Sequence, residues 1–132
     1  MNKDCIQLSV PAKPEYILVT RLTASAVATR IGFDMDTIED IKIAVAEAAI
    51  LIMNQEKSVK EIILYFSLRE NELSIEVQAG EAVDYKNSST IPDIEHREMS
   101  MFILESMMEN VKLHTEDGFL SKIVMQKSCG SR

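Results

Sequence analysis

The stretch IKIAVAEAAILIMN, Ile41 to Asn54, is a nearly unbroken apolar run with one carboxylate, Glu47, in its middle. A run of this length reads as a buried helix. Ionised acids are rarely buried whole without a partner. Glu47 therefore stands at the rim of the core, or faces a pocket where it acts, or once acted there. Just upstream, DMDTIED carries overlapping cap signals, with Asp36 three residues before Glu39 and Thr37 three before Asp40, so the helix is predicted to start there. Ile38, Ile41, Val45, Ala48 and Ile52 recur at helical spacing. The second half is apolar nearly all round, so both of its sides should be covered.

Before this helix, PEYILVTRLTASAVATRIG predicts another. Pro14 suits a first turn, Leu18, Leu22 and Ala26 share one face, and Gly32 suits the exit. Earlier still, CIQLSVP alternates Ile6, Leu8 and Val10 and stops at Pro11, which reads as a strand at a sheet edge. After the central helix, KEIILYFSLRENELSIEVQAG alternates Ile62, Leu64, Phe66 and Leu68, then Leu73, Ile75 and Val77. That is a hairpin with one dry face, turning about Asn71. GEAVDYKNSSTIPDIEH, from Gly80 to His96, breaks all periodicity and reads as a long binding loop or lid. REMSMFILESMMEN predicts a third helix, and VKLHTEDGFLSKIVMQK a second hairpin turning at Asp117-Gly118. The strands come in hairpins and the helices are not interleaved one per strand. The expected fold class is α+β, a two-layer sandwich with helices on one face of a mostly antiparallel sheet.

With 132 residues, 46% hydrophobic and 27% charged, the chain reads as one soluble domain, residues 1–132. A net charge of -7 argues against nonspecific binding to nucleic acid or an anionic membrane. It leaves a basic protein partner open. Cys5 and Cys129 lie near opposite ends, without the spacing of a zinc site. The start lacks the apolar segment of a signal peptide, and no stretch is long enough to span a membrane. A cytoplasmic location with free thiols is expected. His96 and His114 are isolated, so no metal is expected.

The element order resembles the Bergerat ATP-binding fold of histidine-kinase ATPase domains. More closely, VPAKPEYILVTRLTASAVATRIGF followed by IEDIKIAVAEA is similar to the bacterial anti-sigma-factor serine kinases of partner-switching systems. The match covers nearly the whole chain and is strongest from Val10 to Ala49. The resemblance implies that Glu47 occupies the position that orients an attacking hydroxyl or takes its proton. The family's magnesium-holding asparagine falls on Leu51, and Asn54 lies one turn on. Hard Mg²⁺ wants oxygen ligands, which leucine lacks. A family histidine near the helix end is Gln55. In the second nucleotide box, Gly80 keeps the glycine place, whereas Gln78 or Ala79 stands where an adenine-binding aspartate belongs, and Asp84 is too far along. In the third, Glu98 and Ser100 fall on glycines that would let backbone amides approach phosphate. Glu98 there would repel polyphosphate.

These substitutions imply a scaffold kept and a pocket altered. The expected function is an anti-sigma-factor-like regulator that binds a sigma factor or an anti-anti-sigma protein, without ATP or another cofactor. The family's partner-contacting arginine matches Arg21, and the plain alternative is a solvated helix arginine. Family membership implies a homodimer, with the first strand and first helix as interface elements. The alternative function is an ATP-dependent serine kinase using Glu47, with magnesium and ATP as cofactors. A third is a reshaped pocket for another small ligand. For Glu47 the plain alternative is a hydrogen-bonded structural carboxylate. Met99, Met101, Met107 and Met108 are expected to fill core gaps, or else to form an adaptable partner surface.

Overall fold

The computed structural model describes residues 4–55, 57–80, 82–85 and 94–129. The chain runs β1 (Asp4–Pro11), a 3₁₀ turn (Pro14–Tyr16), α1 (Ile17–Ile31), α2 (Met35–Met53), β2 (Lys57–Val59), β3 (Glu61–Arg69), β4 (Glu72–Ala79), β5 (Ala82–Tyr85), α3 (Ile94–Met107), β6 (Glu109–Glu116) and β7 (Phe119–Ser128). Five strands form an antiparallel sheet in the order β1-β3-β4-β7-β6. This is the α+β layer arrangement that the sequence predicts, with β1 at an edge. No helix of the described residues is long and apolar enough to cross a membrane.

Alternation sets the dry face. Ile62, Leu64, Phe66 and Leu68 of β3 are buried, and they pair in register with Ala79, Val77, Ile75 and Leu73 of β4. Arg69 pairs with Glu72, so Glu70 and Asn71 form a two-residue turn. The second hairpin turns where expected, because Asp117 (φ 53) and Gly118 (φ 79) both take the positive φ that such turns need. A register shift between His114 and Thr115 brings Leu120 to the core side along with Ile123 and Met125.

Helix α2 is the middle of the helical layer and packs against both α1 and α3, which explains its apolar circumference. Its cap is not Asp36 or Thr37, as the sequence predicts, but Asp34. The Asp34 carboxylate accepts the Thr37 N–H at 2.8 Å, which puts Thr37 in the third helical position. Asp36 instead sits in the first turn, where its charge complements the helix dipole. Helix α1 also corrects an expectation. The Leu18, Leu22 and Ala26 face points to solvent, and the buried face is Thr20, Ala24, Val27 and Ala28. Helix α1 packs against α2, whose buried residues include Ala44 and Ala48, and small side chains on both helices allow close packing. The buried Thr20 hydroxyl is satisfied by donating to the Ile17 carbonyl at 2.6 Å.

Two short strands depart from the sequence reading. β2 and β5 pair as a separate two-stranded sheet, and β5 lies inside the stretch read as a loop. Strands of three and four residues are too short for alternation to show. The rest of that stretch, Glu81 and residues 86–93, lies outside the described residues. The third helix starts at Ile94 rather than Arg97 and ends at Met107 rather than Asn110, whose φ of 50 leaves the helical region.

Candidate functional site: the seam between α2 and α3 and the face of α1

Glu47 projects from the middle of α2, half-buried. Its Oε2 accepts a 2.5 Å hydrogen bond from the Ser100 hydroxyl of α3, and Ser100 is 1% exposed. A carboxylate acceptor makes this one of the stronger hydrogen bonds available to a neutral donor. Leu51, one turn on along the same helix face, is buried at 7% exposure. Asn54 stands exposed at the C-cap, where its N–H donates to the Ile50 carbonyl.

Gln55 has a structural part. Its Nε2 donates to the carbonyls of Ile52 (3.0 Å) and Leu120 (2.7 Å), and its Oε1 accepts the Leu120 N–H (2.7 Å). The end of α2 is thereby clipped to β7.

Gly80 follows β4, and its N–H donates to the Glu61 carbonyl at 2.7 Å. A Cβ at Gly80 would lie 2.2 Å from Glu61 Cγ. A side chain at this position would displace the Glu61 side chain, whose Oε1 accepts the Ser9 hydroxyl at 2.8 Å. Gln78 and Ala79 sit half-buried in β4, paired with Ile63 and Ile62. Asp84 falls in β5, with its side chain outside the described residues.

Glu98 and Ser100 diverge along α3. Ser100 turns into the seam, while Glu98 is exposed and lines a groove on the outer side of the helix. Among the described residues no cluster of His, Cys, Asp or Glu could hold a metal ion. The described donors do not fit a magnesium-bridged polyphosphate. The position one turn from Glu47 is a buried hydrocarbon, and a Glu47 oxygen is already engaged by Ser100.

Arg21 is half-buried on α1, with no ion-pair partner among the described residues. Around it the apolar surface is open. Leu18 is 57% and Leu22 56% exposed, and Val19 is also exposed, as is Ile6 of the edge strand β1. The methionines divide: Met108 is buried, Met101 and Met107 are half-buried, and Met99 is 64% exposed, which corrects the expectation of a core role for all four.

Two residues in this geometry carry no local sequence signal. The pairing of Ser100 with Glu47 spans 53 positions. The Glu61 packing that fixes Gly80 was equally invisible. The α1 face had a signal, since Thr20, Ala24, Val27 and Ala28 form a small-residue stripe at helical spacing that competes with the leucines.

The family model for the histidine kinase-like ATPase domain matches residues 10–127. That defines the class of protein to which this sheet, helical layer and seam correspond. Among similar proteins, the serine-protein kinase RsbW of Oceanobacillus iheyensis is 34% identical over 140 residues, covering 96% of this chain and 87% of that one. The serine-protein kinase RsbW of Bacillus subtilis is 33% identical, covering 89% of this chain and 82% of its own length. That of Bacillus velezensis is 32% identical, covering 87% and 81%. The chain belongs to the anti-sigma-factor serine kinase family, built on the histidine kinase-like ATPase domain.

Proposed function

We propose that this chain is a single-domain anti-sigma regulator that acts by stoichiometric binding, in the cytoplasm, with its ancestral nucleotide site closed. The observation that carries this reading is the Glu47–Ser100 hydrogen bond beside the buried Leu51. The residue in the catalytic position has become a tie between two helices, and the adjoining position offers no metal ligand. Its partner is a sigma factor or an anti-anti-sigma protein, contacted through Arg21 and the α1 face. Arginine suits such a contact because its planar fork pairs with carboxylates, and exposed leucines beside it supply apolar area. The exposed apolar residues of α1 and the edge strand β1 support a homodimer formed through the same elements.

The kinase reading has one observation in its favour, the retention of Glu47, together with the name of its relatives. Calorimetry and a thermal melt with Mg-ATP separate the two. A micromolar site at millimolar nucleotide would stabilise the fold by about 4 kcal/mol. The expected result is no heat of binding and no rise in melting temperature. A clear rise, with phosphate transfer to a partner serine, would establish the kinase. Affinity purification from the native host, followed by reconstitution of the captured complex from purified proteins and its loss in Arg21→Glu, tests the partner face.

A further inference from the structure

The groove on the outer side of α3 belongs to neither the seam nor the α1 face. It has a volume of about 350 Å³ and is lined by Arg97, Glu98, Met101, Phe102, Glu105 and Leu113. Met101 and Leu113 are half-buried and form its apolar floor, one from the helix and one from β6. Phe102 stands 70% exposed above them. Glu98 and Glu105, both exposed, lie four residues before and three after Phe102, so they bracket the ring along one helix face. Among the described residues that line the groove, Arg97 is the single cation. An aromatic side chain held in water beside an apolar floor marks an interaction surface when acids frame it in this way.

We propose that this α3–β6 groove docks an amphipathic helical segment of a partner protein, in which an apolar stripe is flanked by lysines or arginines. Charge complementarity selects that occupant. The two glutamates outnumber Arg97, and the net charge of -7 draws a cationic segment toward the surface. A second copy of this chain would bring the same acids and the same net charge against them, which is repulsive. Addition of a strand is disfavoured, although β6 is an edge of the sheet. An extra residue on β6 between Glu109 and Lys112 breaks its ladder with β7, and such a bulge helps to keep an edge from pairing with another chain.

The site also stands apart from the α1 face. Helix α2 lies between α1 and α3, and β1 and β6 are opposite edges of the sheet. A segment in this groove does not cover Arg21, Leu18 or Leu22, so the groove and the α1 face can be occupied at the same time.

The test uses the full chain and two synthetic helix-forming peptides, one with a leucine stripe flanked by arginines and one with glutamates in place of the arginines. Binding is read by fluorescence anisotropy and located by amide chemical shifts. The arginine peptide is expected to bind more tightly than its acidic counterpart, with the largest shifts at Met101, Phe102 and Leu113. Phe102→Ala is expected to weaken it about tenfold. The double variant Glu98→Lys, Glu105→Lys is expected to reverse the preference between the peptides. These side chains are exposed, and a thermal melt checks that each variant keeps its fold. Any of four results would overturn the proposal: no binding of the arginine peptide at millimolar concentration, equal binding of both peptides, shifts centred on Leu18 and Leu22, or no effect of Phe102→Ala. Self-association that depends on Phe102 would also overturn it, by assigning the groove to a second copy.

Discussion

Ser100 of α3 donates its hydroxyl to Glu47 of α2 at 2.5 Å, joining two helices whose seam would otherwise expose a half-buried carboxylate. The bond ties a carboxylate in the middle of α2 to a hydroxyl that α3 buries.

Removing the hydroxyl should therefore destabilise the fold. Ser100→Ala leaves Glu47 without that donor, and the loss of one hydrogen bond to a charged group is about 1.5–3 kcal/mol. The expected outcome is a lower denaturant midpoint with an unchanged m-value. Glu47→Gln, which keeps an acceptor oxygen, should be milder than Ser100→Ala. If both variants melt like the parent chain, the bond is not a structural tie.

A second prediction concerns Gly80. A methyl group there would meet Glu61 Cγ at 2.2 Å, and relieving such overpacking typically takes about 1–3 kcal/mol. Gly80→Ala is expected to destabilise by an amount in that range, and Glu61→Ala to recover most of it in the double variant. A double-mutant cycle by chemical denaturation measures the coupling. Additive effects would mean that Gly80 is held by something other than Glu61.

What could be read from the sequence was local. Alternation in β3 and β4, the Asp117-Gly118 turn and the length of the α2 run each sit within a few residues of what they determine. What could not be read depended on distant partners. The α1 helix carries two competing stripes, and the more hydrophobic one, Leu18 and Leu22, is the exposed one. The stripe of Thr20, Ala24, Val27 and Ala28 is the buried one, on a helix that packs against α2, and that packing is a fact about another helix. In the same way Glu47 could be singled out as an acid in an apolar run, yet its partner Ser100 lies 53 positions away. The residues singled out by resemblance could be named from the sequence. Their present contacts, such as the bond of Gln55 to β7, were not.

Gln55 gives a third prediction. Its amide satisfies both the N–H and the carbonyl of Leu120 in a buried setting. Gln55→Leu would strand two backbone polar groups, each at a penalty of about 1–3 kcal/mol. The variant should lose stability, and hydrogen exchange should accelerate at the Leu120 amide first. Retained protection at Leu120 would count against this clip.

The cap of α2 makes stability depend on pH. The Thr37 hydroxyl and then the Thr37 N–H hold the Asp34 carboxyl below its ordinary value of 3.8. The folded group titrates lower than the unfolded one. Its contribution is thus complete above the ordinary value and is lost as pH falls through the lowered one. Asp34→Ala should lower the melting temperature at neutral pH, and the gap from the parent chain should narrow in strong acid. Asp34→Asn, which keeps a capping oxygen without a charge, should show a flatter dependence. Equal gaps at both extremes would remove the ionised cap from the account.

The exposed leucines of α1 give the last prediction. Leu18 and Leu22 are each more than half exposed, so a charge there does not disturb the core. Leu22→Asp is expected to keep the parent melting temperature under conditions where the parent chain is monomeric. At working concentrations it should shift sedimentation from dimer to monomer, because an aspartate buried in an apolar contact without a partner is strongly unfavourable. Arg21→Ala tests whether the same helix serves both a partner and a second subunit. If Arg21 contacts the regulated partner rather than the second subunit, its loss weakens partner binding and leaves the sedimentation of the free chain unchanged. A parent chain that sediments as a monomer at every concentration would show that this apolar face serves a partner alone.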